Sequence, residues 1–500
     1  MPLIYQFYSA LVFSVIFKIV LAVMIPLTGD EAYFFVWGKY LDFGYYDHPP
    51  MVGWLMHFLL YLGDSRFILR LPTILFGIII GIVLYQFFKK MDKEKAQMIS
   101  ILFWISPFNL LNVIITNDSP LLIFTFLSGL FFFHGFDKKR FFYFLIAGVF
   151  LGLAFSSKYF AVLLAVAFLF YVLFFQRNRK GLLGILGVFL PAGFFVLLNL
   201  YWNYTHCWDN IVFNFFIRHK NPLRLGVVNF AVFILEQIYL ITPILFYYLM
   251  KGRKSILESI KARNYFLIFL ILYGVPICIF ALVSLVKSIG FHWTLSFVPF
   301  IFFLMFPLFS QEILRKMVRP MFIFSTAHLV IVFLVLLLFH MGQFNHLDIY
   351  KNTIISIRAR EISSLLKPVK RGFLLATESY DDASMLHYYC REYVTMIGKG
   401  SHRGRQFDQL TDFIKLQGKN ILIVRVGSSN EEFYKQFFHR IALQENRIDG
   451  IPVFFLFGYK FNFPIYKEKV LKEIWDSFYP IPSQLPCGKC YFRDHYFNEK

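Results

Sequence analysis

Long apolar runs separated by short polar breaks dominate the chain from its start to about position 340. A bilayer core takes about 20 apolar residues as helix. Runs near that length stand at 4–25, 68–88, 97–116, 119–136, 141–157, 159–176, 181–201, 227–250, 264–286, 293–310 and 320–340, which predicts about eleven spans. The apolar segment 51–62 is too short to cross and is expected at the membrane interface. After 340 the pattern changes. GFLLATES (372–379), NILIVRVGS (420–428) and VFFLFGY (453–459) read as buried strands, with helix such as 430–439 between them. The organisation is therefore a transmembrane domain, 1–340, followed by a soluble α/β domain, 341–500.

Charge in the loops sets the sides. Lys89, Lys90, Lys93 and Lys95 follow the second run, and Lys138, Lys139 and Arg140 follow the fourth. Arg177, Arg179 and Lys180 follow the sixth, Lys251 to Arg263 the eighth, and Arg315, Lys316 and Arg319 the tenth. Every second loop is basic, and basic loops stay in the cytoplasm. The N-terminus is then cytoplasmic and the domain after 340 periplasmic, in a multi-pass protein of the cell inner membrane. Leu3 to Ile25 has no basic n-region and no small-residue cleavage site, so it reads as a retained span. Lys18 lies inside that span, where it is expected to snorkel or pair with a neighbour.

Composition agrees. The 500 residues are 58% hydrophobic and 16% charged, more apolar surface than a water-soluble protein can hide. The net charge of +20 is explained by basic loops facing anionic lipid, without nucleic acid. Five cysteines are too few for a disulfide framework, and Cys487 and Cys490 form a single CxxC where a zinc site needs further ligands. The tail has no Walker loop and no GxGxxG.

The outward loops gather the polar groups. The first carries Asp30-Glu31, Asp42 and Asp47-His48, with Tyr33, Phe34, Trp37, Tyr40, Tyr45 and Tyr46 among them. Pro49-Pro50 is expected to hold the chain extended before the next helix. Arg70, Asp118, Lys158, Asn203, His206, Arg218, His219, Lys220 and His292 belong to the same side. Polar groups clustered at membrane depth mark a functional cavity. A DE pair at a helix end is, by itself, more often a solvated charge than a catalyst. The rings suit an interfacial belt and also suit stacking on a sugar. Arg70 and Lys158 could grip a phosphate or merely pair with Asp30 or Asp118, and the residues leave both open. Acids, cations and rings at a membrane-level cavity point to a lipid-phosphate-linked group entering from the bilayer. An acid would then deprotonate an acceptor hydroxyl while cations stabilise the leaving phosphate.

At this point the motifs resemble a known family. GDEAYFFVWGKYLDFGYYDHPPMVGWL (29–55), RLPTILFG (70–77), TNDSPLLIF (116–124), GLAFSSKYFAVLL (152–164), NYTHCWDN (203–210) and FHWTLSFVP (291–299) carry the likeness, in order, over about residues 1–310. They resemble the GT-C membrane glycosyltransferases (family 39/83-like), in the branch of the dolichyl-phosphate-mannose protein mannosyltransferases and the aminoarabinose transferases of lipid A. The tail is similar only through LHYYC (386–390) and GRQFD (404–408). The resemblance implies a GT-C fold and an inverting transfer, on the periplasmic face, from a polyprenyl-phosphate sugar. It makes Asp30 the catalytic base, with Glu31 beside it and Asp118 as a further catalytic acid. It places Arg70 and Lys158 near the donor phosphate. Tyr33, Tyr46, Asp47, His48, Asn203 and His292 are the implied substrate-binding set. His48 has a structural or metal-related place, and His292-Trp293-Thr294 lacks the family's usual Pro. No cofactor is required, and a divalent metal is left open.

Two readings follow. The chain is an enzyme moving a sugar onto an envelope acceptor, with lipid A or lipopolysaccharide favoured over protein. Arg218, His219, Lys220 and Arg224 could then meet acceptor phosphates, although such residues are more often solvated. The alternative is a transporter or flippase of a polyprenyl-linked sugar. One-sided polar groups and the lack of repeated halves argue against it. A degenerate, binding-only member fits poorly with intact DEAY and DHPP.

Overall fold

The computed structural model describes residues 2–219, 226–252, 264–344 and 346–497. The basic residues Arg253, Lys254, Lys261 and Arg263, and the outward Lys220 and Arg224, lie outside the described residues. Six described helices are long and apolar enough to cross a membrane: Leu3–Met24, Arg66–Phe88, Asp118–Asp137, Arg179–Thr205, Tyr265–Ser284 and Gln311–Phe339. Two bent pairs bring the number to eight if each is one span. Val227–Ile241 and Pro243–Lys251 bend by 95°, and Phe291–Phe297 and Pro299–Leu308 by 55°. Each break falls just before a proline, whose missing N–H and ring interrupt the helical ladder.

The remaining expected runs, 97–116, 141–157 and 159–176, contain shorter helices, Lys93–Ile105, Phe141–Phe155 and Ala161–Phe175. The first stops where Pro107 forces Ser106 into an extended conformation, and Ser106 then caps the next turn. Met51–Leu60, within the segment too short to cross, is a helix of 10 residues. Its N-cap, Pro50, is already helical at φ −80°, ψ −12°, not extended as expected.

By contacts the chain forms two compact units. One comprises Met1–Met24, Gly63–Leu197 and Pro222–Phe333. The other comprises Ile25–Leu62, Leu198–Asn221 and Leu334–Lys500.

Within the first unit, helices come close where glycine removes a side chain. A Cβ on Gly81 would lie 2.1 Å from Trp104 Nε1. Polar groups then cross-link the helices. Ser100 Oγ donates to the Gly81 carbonyl at 2.9 Å, and Asn109 Nδ2 to Ser14 Oγ at 2.8 Å. In lipid, where apolar burial between helices contributes little, such close packing and bonding hold a bundle together. Lys18 is buried and donates to the Thr73 carbonyl at 2.6 Å, so it pairs and does not snorkel.

The second unit is built on a five-stranded sheet of order β2-β1-β3-β5-β4. The strands are β1 (Leu374–Thr377), β2 (Val394–Met396), β3 (Ile421–Val426), β4 (Phe438–Ile448) and β5 (Ile451–Phe461). β1 lies between β2 and β3 in parallel, while β5 is antiparallel to both β3 and β4. The three expected strands form. The expected helix at 430–439 is confined to Glu431–Lys435, because the chain enters β4 at Phe438. Asp449-Gly450, both at positive φ, turn β4 into β5, which is the Asp-Gly signature of a tight hairpin. Helix Tyr380–Cys390 makes the crossover from β1 to β2. Cys490 of the CxxC is joined instead to Cys207, across 283 residues. Backbone bonds flank that link, with Cys207 N donating to Lys489 O and Lys489 N to Tyr204 O, each at 3.0 Å.

Candidate active site

The first outward motif folds into helix Gly29–Lys39 in the second unit. Thr28 is its N-cap. The Thr28 hydroxyl accepts from Glu31 N at 3.2 Å, and the Glu31 carboxylate accepts from Thr28 N at 3.1 Å. This is a capping box, so Glu31 is buried and spends its carboxylate on the helix start. Asp30, one residue earlier, points outward from the same first turn. There the free N–H groups of the helix favour a negative charge. The Tyr380 hydroxyl donates to Asp30 Oδ1 at 3.0 Å. Asp30 keeps solvent access but is ringed by protein, and that crowding raises its carboxyl above the ordinary value. Tyr380 and Arg403 pull it back down, while Asp381 and Glu31 push it up.

Asp47 is the second acid of this face, and it is buried. Burial pushes it up to about 7, against the opposing pull of hydrogen bonds from Tyr33 and the Gly404 backbone. Gly404 N reaches both carboxylate oxygens at 3.3 Å. The GRQFD run is therefore the partner of the first motif. Gln406 N donates to Tyr33 Oη at 3.3 Å, and Tyr46 N donates to Gln406 Oε1 at 2.8 Å. Phe407 stacks on Tyr33 with centroids 6.0 Å apart. Arg405 is fully buried and grips Asp408 with two bonds of 2.6 and 2.7 Å. Tyr479 donates to Asp408 at 3.0 Å, and Gln409 bonds the buried Asp209, whose carboxyl burial raises strongly. Gly404 sits at φ +72°, and a Cβ there would lie 2.0 Å from Tyr380 Cγ, so only glycine fits.

Most rings of the first motif are core. Tyr33, Phe34, Phe35, Trp37, Tyr45 and Tyr46 are each at most 5% exposed, which removes them from a role as an interfacial belt. Trp37 and Tyr45 stack at 4.2 Å, and the Tyr45 hydroxyl donates to Trp37 O. Asn203 is also buried. It accepts from Ile211 N at 3.1 Å and donates to Asn199 O at 2.9 Å, shaping the turn between two helices. His48 is half-buried, its ring 6.5 Å from Trp37. Cations line the same unit. The half-buried Arg218 lies over the Phe213 ring at 5.6 Å, and Phe213 stacks on His402. Burial, then the nearby Arg403, lowers the Arg218 guanidinium from its usual value. His219 ends a short 3-10 turn, Ile217–His219.

The first unit brings together three of the expected residues. Asp118 opens helix Asp118–Asp137. Lys158 Nζ meets both its oxygens, at 2.8 and 2.9 Å, and both residues are buried. His292 Nε2 lies 3.9 Å from Asp118 Oδ2. Arg70 is fully buried and donates to the Ala22 carbonyl at 3.0 Å. No group of three His, Cys, Asp or Glu able to hold a metal occurs among the described residues.

Tyr380, Gly404, Gln406 and Asp209 were missed as site residues by sequence reasoning. GRQFD carried a weak signal as a motif, and Tyr380 carried none.

Residues 47–202 match the family model of the dolichyl-phosphate-mannose-protein mannosyltransferases. A lipid A galacturonosyltransferase, RgtD, of Rhizobium johnstonii is 25% identical over 222 residues, 44% of this chain and 47% of that protein. The chain thus matches about half the length of this curated relative. Two crystal structures of ArnT from Cupriavidus metallidurans superpose over 90% of this chain and 97% of theirs, at 16% identity. The TM-score is 0.60 for the apo state and 0.62 for the form bound to undecaprenyl phosphate. The chain shares the overall fold of these ArnT structures.

Proposed function

We propose that this protein is an inner-membrane glycosyltransferase that moves a sugar from a polyprenyl-phosphate donor to a lipid A or lipopolysaccharide acceptor on the periplasmic face. The observation that carries it is Asp30: a solvent-accessible carboxylate at a helix N-terminus, held by one hydrogen bond, in the DEAY motif. Asp30 takes the proton of the acceptor hydroxyl as its oxygen attacks the anomeric carbon. The bond from that carbon to the phosphate oxygen breaks, its electron pair leaves with the polyprenyl phosphate, and the configuration inverts. Arg70 and Lys158 are assigned to the donor phosphate, Asp118 to orienting Lys158, and Asp47, His48 and His292 to the substrate. Glu31, Tyr33, Tyr46 and Asn203 act one step back, through the helix cap and the packing around it. The chemistry assigned to these side chains uses no metal. RgtD by name acts on lipid A, and one matched ArnT structure holds undecaprenyl phosphate, which supports the acceptor and donor classes named. The flippase alternative gains no support from proteins named as transferases.

Orientation rests on two independent arguments. The basic loops alternate, and the Cys207–Cys490 link fits an oxidising compartment; both support a periplasmic side for the unit carrying Asp30. With Cys278, Cys390 and Cys487 changed to Ser, an impermeant maleimide applied to cells with a permeabilised outer membrane is expected to label Ser428→Cys and spare Lys90→Cys. Labelling of both or only the latter would overturn this orientation.

The function is tested by mass spectrometry of envelope lipids from cells lacking the gene. A sugar-sized mass missing from lipid A and restored by the wild-type gene is expected. Unchanged lipid A and core would remove the proposed acceptor. Lys158→Gln is expected to raise the KM for the donor lipid about tenfold and leave that for the acceptor within about twofold. Equal changes in both would mean that the Lys158–Asp118 pair is only structural.

A further inference from the structure

The periplasmic unit supplies a group aimed at Asp30 that no motif predicts. Tyr380 is the first residue of helix Tyr380–Cys390, whose start is capped by Ser379. That helix lies against the beginning of the one bearing Asp30: a Cβ on Gly29 would come within 2.6 Å of Asp381 Cβ. The Tyr380 ring is held edge-on to Tyr33 at 4.9 Å, and the Gly404 backbone presses on it from another side. Ser384 Oγ donates to the Tyr380 carbonyl at 2.6 Å. The phenol is therefore set by two helices and a loop before it meets Asp30 Oδ1 at 3.0 Å.

We propose that Tyr380 is a positioning residue for transfer: its hydroxyl holds Asp30 Oδ1 so that Oδ2 is aimed at the acceptor hydroxyl. This rests on the reading of Asp30 as the base. A carboxylate that can rotate offers its proton-accepting lone pairs in many directions, and a side chain fixed by its surroundings offers them in one. Tyr380 keeps its own proton throughout, because burial and the neighbouring acids hold its hydroxyl far above the usual phenol value. The acceptor proton ends on Asp30, and the phenol stays a donor. A hydrogen bond to the charged form also favours that form, so the same contact sets the pH at which the base is ready.

The test compares wild type, Tyr380→Phe and Asp30→Asn in detergent, with pH profiles of transfer from a synthetic polyprenyl-phosphate sugar. Tyr380→Phe is expected to lower kcat about tenfold, to leave both KM values within about twofold, and to move the acidic limb up by roughly one pH unit. An unmoved limb with unchanged kcat overturns the role of Tyr380. 3-Fluorotyrosine at position 380, a stronger donor of the same shape, is expected to move the limb down, and it decides the matter if Tyr380→Phe does not fold. An unmoved limb there also overturns the proposal. An active Asp30→Asn would sink the base itself, whereas an inactive one with an unmoved Tyr380→Phe limb sinks only the positioning role.

Discussion

Asp30→Asn is expected to yield a folded protein whose transfer rate is lower by a factor of at least about 100. The substitution keeps the shape of the side chain and keeps an oxygen for the Tyr380 hydroxyl. It removes only the ability to take a proton. The helix start is unaffected, because the cap belongs to Thr28 and Glu31. Folding is not weakened either. A carboxyl whose folded value is raised contributes stability present below its unfolded value and lost as pH rises through the folded one. At neutral pH an ionised Asp30 therefore costs stability, and the amide is expected to match or slightly raise the midpoint of thermal unfolding. The same sign governs wild-type activity: transfer falls as the medium is acidified through the raised value of Asp30. Near-wild-type rates from purified Asp30→Asn with an unchanged melting temperature would exclude it as the base.

Arg405→Met is expected to have the largest effect on stability, about 3–5 kcal/mol. Arg405 is fully buried, so its loss leaves the buried Asp408 carboxyl without its main partner. It also removes donors from the carbonyls of Lys399 and Ser401, which shape the loop ending at Gly404. Gly404 N and, two residues on, Gln406 N meet Asp47 and Tyr33, so damage spreads to the face holding Asp30. The double variant Arg405→Met, Asp408→Leu is expected to recover much of the loss, because the cost comes from an unpartnered buried carboxyl more than from the absent pair. Thermal unfolding in detergent of the three proteins checks this. A single variant melting with wild type would mean that water reaches Asp408.

The first motif was legible because its acids stand just outside an apolar run and are spaced by rings. Its internal economy was not. Asp30 and Glu31 are neighbours in sequence, yet one faces out and the other caps the helix. The rings that suggest a sugar platform are mostly packed on one another and on the GRQFD loop. Lys158 and Asp118, left open between phosphate binding and pairing, do pair. Asp449-Gly450 shows that some local signals were present and overlooked: a hairpin sat where only the second of its strands was expected.

The sequence by itself determined that the chain crosses a membrane many times, where most of the helical runs and three of the strands fall, and where the acids gather. Those properties follow from local hydropathy and charge, which a lipid–water boundary reads residue by residue. Only the tertiary structure decided the sheet order, the Cys207–Cys490 link, the Arg405–Asp408 pair and the bond from Tyr380 to Asp30. Tyr380 and Asp30 are 350 residues apart, and their contact leaves no period in the sequence. It exists because two capped helices and one glycine loop pack so closely that a phenol has a single place to go.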